Sequence, residues 1–355
     1  MTNEPERAFM RRALRLAARA MGRTSPNPLV GAVVVRGDRV VGEGYHRAAG
    51  EPHAEIVAID RAGADARGAT LFTNLEPCAH TGRTPPCVSA IASAGIAHVV
   101  AAMRDPDPGA NGKGVRALRE RGIALTEGIL EDEARRLNAG FISRITRGRP
   151  HVVLRVAATI DGRTPLPRHE RGAKRVAREL HRLRDRFDAV LVGVDRIVGA
   201  DPALTVTEIR GRDPLRVVVD GDARTPSKAS VVRAKDPQRT VIFVARDADR
   251  RRTKRLRAAG VLLATVPRAQ DGLDLGAVLR WLGERGVNTV LVEGGPTVAG
   301  ALVRERLADR LLFVLSPLAG GTGAPALDGA TKAAPLRELK VRRVGEDLVL
   351  EAQLE

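Results

Sequence analysis

The sequence is poor in cysteine and in aromatic residues. Only two cysteines, Cys78 and Cys87, occur among 355 residues, which argues against a disulfide scaffold and favours a reducing cytoplasm. Phe, Trp and Tyr make up 2% of the chain, so side chains that could stack on nucleic-acid bases are scarce. No apolar run approaches the roughly 20 residues of a membrane span, and residues 1–6 lack a signal-peptide core. We therefore expect a cytoplasmic protein with no membrane partner.

The chain also lacks an excess of acidic residues, and its formal net charge is +17. This charge is compatible with a nucleic-acid partner, with a phosphorylated small substrate, or with an arginine-rich composition alone. The densest basic run, residues 250–257, follows a strand-like stretch and predicts a solvated helix face. Because stacking aromatics are scarce, we expect a phosphorylated small molecule as the partner and no nucleic acid.

Two short stretches carry the residues with the clearest chemistry. His53-Ala54-Glu55 begins an apolar helical pattern, and both cysteines lie within residues 76–87. One imidazole and two thiolates hold a zinc ion and leave its fourth tetrahedral position for water. The ion lowers the pKa of that water, and a glutamate two residues from the histidine can carry a proton to a departing amine. The pattern is typical of zinc-activated nucleobase deaminases, with His53, Cys78 and Cys87 as ligands and Glu55 as the catalytic residue.

The spacing of the two cysteines departs from the usual deaminase pattern. Eight residues separate Cys78 from Cys87, whereas two are usual, so a looped-out segment must join these ligands. Thr84-Pro85-Pro86 can bring that segment back, because proline is tolerated at a helix start. We then expect Cys87 in the first helical turn, where the helix N-terminus favours a thiolate.

Three other interpretations use the same residues. Two cysteines in an intracellular protein are often inert core residues. A structural zinc module would need a fourth protein ligand, for which His80 is the only nearby candidate. A tRNA or polynucleotide deaminase would share His53 and Glu55, but it usually has short cysteine spacing and no large second domain.

Alternating helix and strand patterns predict two α/β domains, residues 1–147 and 151–355, joined at Gly148-Arg149-Pro150. The first begins with a helix and a hairpin, and its alternation predicts a largely parallel sheet covered on both faces. Its metal ligands would then lie at strand ends and helix starts. The predicted helices cover 6–21, 53–63, 88–94, 113–121 and 130–146, and the strands cover 29–35, 40–44, 70–74, 99–103 and 123–126.

The second domain contains one readable motif, residues 292–300, in which a strand ends in Gly294-Gly295 before a helix start. Glycines let a ligand approach the backbone, and amides at a helix N-terminus attract phosphate. A plain strand-to-helix turn explains the motif equally well. The predicted helices cover 173–186 and 274–285. The predicted strands cover 151–158, 189–193, 215–220, 240–245, 261–266, 289–293 and 311–315, with a closing antiparallel pair at 339–344 and 348–354.

Together these stretches resemble the bifunctional riboflavin-biosynthesis deaminase/reductase family along essentially the whole chain. The long cysteine spacing is part of that family's pattern, which makes the match specific. In the first domain the resemblance rests on residues 26–31, 42–46 and 50–55 and on the cysteine loop. In the second domain it rests on residues 159–163, 181–184, 201–205 and 293–300.

The resemblance implies a three-layer α/β/α cytidine-deaminase-like domain followed by a dihydrofolate-reductase-like α/β domain. It implies deamination of a diamino-pyrimidinone ribosylamino phosphate at Zn²⁺ and then reduction of the ribose to ribityl by NADPH. Asn27 is expected to bind the pyrimidine and Arg83 the substrate phosphate, and we also expect a homo-oligomer. In the second domain the implied substrate residues are Arg184, Leu204 and Glu293. The implied cofactor residues are Ala157, Gly221, Gly295, Pro296, Thr297, Val298, Ala299, Gly300 and Ala301.

The second domain also differs from the family pattern. Residues 167–173 stand where the family has a longer segment with Ser-x-Trp-Ile-Thr, and residues 196–202 lack a threonine and one aspartate. Arg155 stands where lysine is usual, and Thr207 where arginine is usual. These differences leave open a deaminase whose second domain is inactive or acts on another phosphorylated substrate.

Overall fold

The structure, a computed structural model, describes residues 4–79, 86–164, 173–320, 323–330 and 334–354. The chain divides into two compact units, Met1–Gly148 and Arg149–Glu355, and each unit has its own main sheet. None of the helices in the described part of the chain combines the length and hydropathy needed to traverse a bilayer.

The first unit alternates helices and strands, as its sequence pattern predicts. Its first helix is amphipathic and buries Met10, Ala13, Leu16 and Ala17. The elements of this unit are α1 (Glu4–Ala18), β1 (Gly31–Arg36), β2 (Arg39–Tyr45), α2 (Ala54–Ala62), β3 (Thr70–Thr73), α3 (Cys87–Ser93), β4 (His98–Ala101), α4 (Lys113–Arg119), β5 (Ala124–Glu127), α5 (Glu131–Leu137) and α6 (Ala139–Arg147).

The sheet of the first unit has the strand order β2-β1-β3-β4-β5. Strand β1 is antiparallel to both β2 and β3, whereas β3, β4 and β5 are parallel to one another. The predicted β1–β2 hairpin and the parallel pairing of β3, β4 and β5 are confirmed, but the prediction of a largely parallel sheet is wrong for β1, which is also antiparallel to β3. The physical reason is the tight hairpin, in which Gly37 takes a left-handed φ of 61° and reverses the chain within two residues.

Helices α1 and α2 cover opposite faces of this sheet at very short range. A Cβ atom at Gly31 would lie 2.2 Å from the Ala13 carbonyl oxygen of α1, and one at Gly42 would lie 2.1 Å from the Ala58 carbonyl oxygen of α2. Both distances are far below a van der Waals contact, so only glycine fits. The close packing fixes the position of α2, whose first turn carries Glu55.

The single helix predicted over residues 130–146 is also wrong, because Asn138 divides it into α5 and α6. Asn138 has φ −98° and ψ 17° and is 2% exposed. Its side-chain oxygen accepts a hydrogen bond from the Leu29 amide (2.8 Å), and its side-chain nitrogen donates to the Leu29 carbonyl (3.0 Å). The helix breaks at Asn138 because its side-chain amide forms hydrogen bonds with the backbone N–H and C=O groups of Leu29, just before β1. A pattern of hydrophobic residues in the sequence gives no sign of such a contact.

The second unit contains a larger sheet with helices between its strands. Short 3₁₀ turns at Gly63–Ala66 in the first unit and at Pro237–Arg239 in the second complete the helical elements. The elements of the second unit are β6 (His151–Thr159), β7 (Arg163–Thr164), α7 (Ala173–Arg186), β8 (Ala189–Gly193), α8 (Val194–Ala200), β9 (Leu215–Val219), β10 (Thr240–Val244), α9 (Arg250–Ala258), β11 (Leu262–Thr265), β12 (Arg268–Ala269), β13 (Gly272–Leu273), α10 (Leu275–Glu284), β14 (Thr289–Val292), α11 (Pro296–Arg304), β15 (Arg310–Ser316), β16 (Ala324–Pro325), β17 (Leu336–Val344) and β18 (Asp347–Leu354).

This sheet has the strand order β11-β10-β9-β8-β14-β6-β15-β18-β17. The pairings from β11 to β15 are parallel, and β18 pairs antiparallel with both β15 and β17, so the predicted closing pair is confirmed. Alternate residues of β6 enter two cores: Val152 and Leu154 belong to one, and Val153 to the other. The basic run of α9 buries only Leu256, which confirms the prediction of a solvated helix face.

Candidate active sites

The three predicted zinc ligands lie together in the first unit. His53 is the N-cap residue of α2, Cys78 follows β3, and Cys87 is the first residue of α3. The His53 Nδ1 atom lies 3.1 Å from Cys87 Sγ and 3.6 Å from Cys78 Sγ. Within the described ranges, no other set of three or more histidine, cysteine or acidic side chains is close enough to share a metal ion. The predictions that ligands lie at strand ends and helix starts, and that Cys87 lies in a first helical turn, are confirmed.

The donor set and its spacing fit a tetrahedral zinc ion. Zinc bonds of about 2.0–2.1 Å to nitrogen and about 2.3 Å to sulfur place those donors about 3.6 Å apart in tetrahedral geometry. The His53–Cys78 separation matches this value, and the His53–Cys87 separation is slightly shorter. One imidazole and two sulfurs are a common zinc donor set.

The two thiols differ in their ionisation. The hydrogen bond with the Cys87 side chain, together with those from His53 and the Cys87 backbone amide, lowers the pKa of Cys78 to about 4. The Cys87 amide nitrogen lies 3.3 Å from Cys78 Sγ. The contact with Cys78 and burial raise the pKa of Cys87. Cys78 is therefore a thiolate near neutral pH, which is the form that binds metal.

Glu55 lies beside this cluster in the first turn of α2. Its side chain is buried, with the residue 3% exposed, and burial raises the pKa of Glu55 to about 7. Its Oε2 atom accepts a hydrogen bond from the Cys87 Sγ at 3.7 Å. A carboxyl group with a pKa near 7 can both take up and release a proton at neutral pH, which suits a general acid and base.

A cavity of about 440 Å³ opens next to Glu55, His53 and Cys78, and Asn27 lines it as well. The Asn27 side-chain nitrogen donates to His46 Nε2 at 3.0 Å, which requires the His46 proton on Nδ1, where it is donated to the Pro52 carbonyl at 3.2 Å. His46 is 2% exposed. The sequence motifs include His46 but assign it no role, and the structure shows that it orients the Asn27 amide at the cavity wall.

In the second unit, two of the predicted substrate residues form a buried ion pair. The Arg184 Nε and Nη2 atoms each donate to a Glu293 carboxylate oxygen at 2.7 Å, and Nη1 donates to the Thr205 carbonyl at 3.0 Å. Both residues are 7% exposed. The pair joins α7 to the residue that follows β14.

Leu204, the third predicted substrate residue, is 1% exposed and belongs to a hydrophobic core. Its φ is 56°, and Asp201 nearby has a φ of 40°, so two non-glycine residues in one short segment take left-handed conformations. Such conformations are costly and often mark functional segments. The segment runs next to Arg184, because Arg184 donates to the Thr205 carbonyl.

The predicted cofactor loop is divided between open and packed positions. Gly295 is the N-cap residue of α11, and a Cβ atom there would meet nothing within 4 Å. Glycine at this position is therefore not required by internal packing, and the open space at a helix N-terminus suits a phosphate group. Thr297 is exposed, and Pro296 and Val298 are half-buried. By contrast, Ala299, Gly300 and Ala301 are buried in helix packing.

The other two predicted cofactor residues belong to different parts of the same sheet: one lies on a strand and the other just after a strand. Ala157 is a half-buried residue of β6, and Gly221 lies two residues beyond the carboxyl end of β9. Gly221 and Gly295 both follow the carboxyl ends of parallel strands, which is where ligands of open α/β sheets bind.

Two family models match the chain: the cytidine and deoxycytidylate deaminase zinc-binding region over residues 3–103, and the RibD C-terminal domain over residues 150–350. The riboflavin biosynthesis protein RibD of Aquifex aeolicus is 38% identical over 358 residues, which cover 99% of each chain. The Escherichia coli RibD is 36% identical over 364 residues, covering 96% of this chain and 97% of that protein. The chain belongs to the RibD family.

Solved structures of RibD proteins have the same fold. An Acinetobacter baumannii RibD superposes with a TM-score of 0.88 at 32% identity, over 99% of both chains. A Thermotoga maritima diaminohydroxyphosphoribosylaminopyrimidine deaminase/5-amino-6-(5-phosphoribosylamino)uracil reductase gives a TM-score of 0.84 at 32% identity, again over 99% of both. The expected family is confirmed, as is the fold class of a cytidine-deaminase-like domain followed by a reductase domain.

Some sequence predictions for this RibD-family chain lie outside the described residues. Arg83, the predicted phosphate contact, and His80, the alternative fourth metal ligand, both fall in residues 80–85. Residues 165–172, which contain most of the segment that differs from the family pattern, are outside as well. Their roles remain predictions.

Sequence reasoning missed the residues that hold the Asn27 loop in place. The Asn74 side chain accepts from the Gly31 amide at 2.7 Å and donates to the Leu29 carbonyl at 2.9 Å. Arg144 of α6 donates to the Pro26 carbonyl at 2.8 Å and lines the cavity. These residues could have been found in the sequence of this RibD-family chain, because a polar residue such as Asn74, directly after β3, interrupts an apolar pattern.

A third missed set lies after β4. Asp105 and Asp107 line the cavity, and Glu76, which is 5% exposed, organises this loop. Its carboxylate accepts hydrogen bonds from the Asp105, Gly112 and Val115 amides at 3.0–3.1 Å. The position of these acids directly after a buried parallel strand could have identified them.

Proposed function

We propose that this chain carries out two consecutive steps of riboflavin biosynthesis. The first is hydrolytic deamination of the 2,5-diamino-6-ribosylamino-pyrimidinone 5′-phosphate, assigned to residues 1–147. The second is NADPH-dependent reduction of the ribose to ribityl, assigned to residues 151–355. The observation that carries the proposal is the donor set of His53, Cys78 and Cys87 beside Glu55, in a chain that matches a deaminase/reductase over 99% of its length.

In the deaminase step, His53, Cys78 and Cys87 would hold the zinc ion. When bound, zinc lowers the pKa of water so that hydroxide is available near neutral pH. Glu55 would take up one proton of the water as its oxygen adds to the ring carbon that carries the amine, and would pass that proton to the amine nitrogen. The amine leaves as ammonia, the carbon becomes a carbonyl, and the second proton of the water ends on the neighbouring ring nitrogen. The raised pKa of Glu55, about 7, supports this double role.

Asn27 and Arg83 are assigned to substrate binding in this step. Asn27 lines the cavity next to Glu55 and is oriented by His46, so its amide can pair with a polar edge of the pyrimidine. Arg83 is the cation proposed for the 5′-phosphate, because its planar guanidinium forms paired hydrogen bonds with phosphate oxygens.

In the reductase step, NADPH when bound would supply a hydride to the sugar carbon, while the bond from that carbon to the ring oxygen breaks and the oxygen takes up a proton. The donor and acceptor carbons must be held about 3–3.5 Å apart in one orientation. We assign the cofactor phosphates to the N-terminus of α11, where Gly295 leaves open space. Arg184, Leu204 and Glu293 are assigned to the substrate, with the Glu293 carboxylate fixed by Arg184.

The departures from the family pattern are compatible with this assignment. Burial lowers the pKa of Arg155, whose guanidinium also interacts electrostatically with Glu293, Arg184 and Arg196. Arg155 thus brings positive charge close to Glu293 and Arg184. An inactive or redirected second domain and a polynucleotide deaminase are not favoured, because RibD relatives match both domains in full.

We place the reaction in the cytoplasm, because the two thiols of the metal site need reducing conditions to stay free. A phosphorylated small-molecule substrate, with no nucleic acid or membrane partner, and a homo-oligomeric state complete the proposal.

One assay tests the two activities together. Purified protein is given the pyrimidine substrate and NADPH, and ammonia release and NADPH absorbance are followed in the same sample. We expect ammonia release first and then loss of one NADPH for each ammonia. Ammonia release with constant NADPH absorbance would contradict the reductase assignment, and absence of ammonia release would contradict the deaminase assignment.

A further inference from the structure

The loops that follow β9 and β10 hold Arg268 of β12 beside Gly221, a predicted cofactor residue. Arg268 of β12 donates from Nε to the Asp247 carboxylate at 2.9 and 3.1 Å, and from Nη2 to Asp222 at 2.6 Å. The third nitrogen, Nη1, has no hydrogen-bond partner among the described residues. A Cβ atom at Gly221 would lie 3.2 Å from this Nη1, so the free edge of the guanidinium lies beside Gly221.

The surroundings of this arginine are rigid. The buried Asp220 carboxylate accepts hydrogen bonds from the Arg224 amide, the Thr225 amide and the Thr225 hydroxyl at 2.7–2.8 Å. The Ala245 amide donates to the Gly221 carbonyl at 3.1 Å, which ties the ends of β9 and β10 together. The free N–H groups of Arg268 are therefore presented at a defined place beside the carboxyl ends of two parallel strands.

The free edge of the Arg268 guanidinium is suited to bind an anion. A guanidinium has only donors and matches the oxygens of a phosphate group. In dinucleotide sites the residue near the adenine ribose decides the cofactor: an acid accepts a hydrogen bond from the 2′-hydroxyl of NADH, whereas an arginine accommodates the 2′-phosphate of NADPH. Here both nearby acids, Asp222 and Asp247, are engaged by Arg268, so the arginine presents the free hydrogen-bonding groups.

We propose that Arg268 binds the 2′-phosphate of NADPH and is the residue by which the second unit distinguishes NADPH from NADH. The proposal rests on the reductase assignment made above. Asp222 and Asp247 act as positioning residues: they hold the other edges of the guanidinium, and a phosphate reaches the Nη1 edge beside Gly221 from the solvent. The Asp222 and Asp247 side chains are 59% and 68% exposed, and exposed pairs of this kind contribute little to stability.

The test measures binding to the full-length protein by titration calorimetry, without the pyrimidine substrate. The ligands are NADPH, NADH and adenosine 2′,5′-bisphosphate. We expect Arg268→Ala to weaken NADPH and the bisphosphate about 10- to 100-fold, as for loss of a charge-assisted hydrogen bond, and to leave NADH unchanged. Arg268→Lys, which keeps the charge but loses the planar fork, should give an intermediate loss.

Two control variants complete the design. Arg280→Ala removes another exposed arginine that has an aspartate partner, Asp274 at 3.6 Å, and this variant should bind all three ligands normally. Arg224→Ala removes the arginine of the loop after β9 that pairs with Asp195. Unchanged NADPH affinity in Arg268→Ala, equal loss of NADPH and NADH, or selective loss in Arg224→Ala instead would overturn the proposal. A wild-type protein that binds neither dinucleotide would contradict the reductase assignment itself.

Discussion

Two hydrogen bonds of 2.7 Å join the Arg184 guanidinium to the Glu293 carboxylate across 109 residues of sequence. The side chains are 9% and 5% exposed, so neither charge can be solvated fully without its partner. Removing one member of a buried pair leaves an uncompensated charge, which costs more than the pair contributes. The two residues proposed for the substrate of the second unit are thereby also part of its stability.

We expect Arg184→Ala to lower the free energy of unfolding of the second unit by about 3–5 kcal/mol, as measured by urea denaturation. The double variant Arg184→Met with Glu293→Leu should recover much of this loss, because neither member of the pair is left buried without its partner. As a control, Arg182→Ala removes an exposed arginine that pairs with Glu179 and should cost less than about 1 kcal/mol. Equal effects of the two single variants would disprove the role of the buried pair.

Glu55→Gln should keep the zinc ion but lose deamination. A glutamine cannot take up the proton, and loss of a positioned acid or base typically reduces the rate about 10²- to 10⁴-fold. Ammonia release and zinc content are measured on the same preparation. Glu51→Gln, at an exposed carboxylate that lines the same cavity, is the matched control and should keep most of the activity. Near-normal turnover in Glu55→Gln would rule out the proposed mechanism.

Cys78→Ala and Cys87→Ala should each lose zinc and lower the melting temperature. The thiolates supply binding energy that also stabilises the fold, since the ligands come together only in the folded state. Elemental analysis and thermal unfolding provide the measurements, with Ser89→Ala on the exposed side of α3 as the control. Full zinc occupancy in either cysteine variant would show that the sulfurs are packing residues.

Two glycines of α11 should respond in opposite ways to replacement by alanine. A Cβ atom at Gly295 meets no protein atom within 4 Å, whereas one at Gly300 would lie 1.7 Å from the Asp328 carbonyl oxygen. Gly295→Ala should therefore leave the melting temperature unchanged and weaken NADPH binding. Gly300→Ala should destabilise the second unit. Normal NADPH affinity in Gly295→Ala would exclude this helix N-terminus as the phosphate site.

The pair of Arg149 and Asp309 should make the second unit sensitive to acid. Burial raises the pKa of Asp309, but the hydrogen bond from Arg149, the nearby His151 and the Val152 amide outweigh it, so the net pKa is lowered. A folded-state pKa below the unfolded value of about 3.9 gives stability that is present above that pH and is lost as the pH falls through the folded-state value.

The measurable consequence is a melting-temperature difference between wild type and Asp309→Asn. It should be large at pH 7 and shrink below about pH 4, because protonation removes the same charge that the substitution removes. Asp271→Asn, at an exposed partner of Arg304, should give a small difference that varies little with pH. A constant difference for Asp309→Asn from pH 7 to pH 2 would contradict this account.

Local patterns predict much of this fold, because most strands and helices are buried on one side and show it in their periodicity. They fail where a polar contact between distant residues determines where an element ends. Asn138 ends a helix because its amide pairs with Leu29, and helix α8 lies where the sequence pattern indicates none. Antiparallel pairing of β1 with β3 likewise depends on contacts between distant residues.

The metal site was predictable because its four residues follow a fixed spacing and their chemistry requires them to meet. The residues that support it were not, since Asn74, Glu76 and Asn138 act through backbone groups far along the chain. The second unit shows the same limit. Arg268 and Asp222 are 46 residues apart, and neither belongs to a recognisable motif.

The hydrogen bonds between Leu29 and Asn138 also set an order of events during synthesis. A chain that emerges from the ribosome N-terminus first presents the two cysteines and His53 long before residue 138 is available. The hydrogen bonds by which Asn138 helps to hold the loop that carries Asn27 can form only after α5 has been translated, 109 residues after Leu29. The last support of the Asn27 loop is therefore added only when nearly the whole first unit has been made.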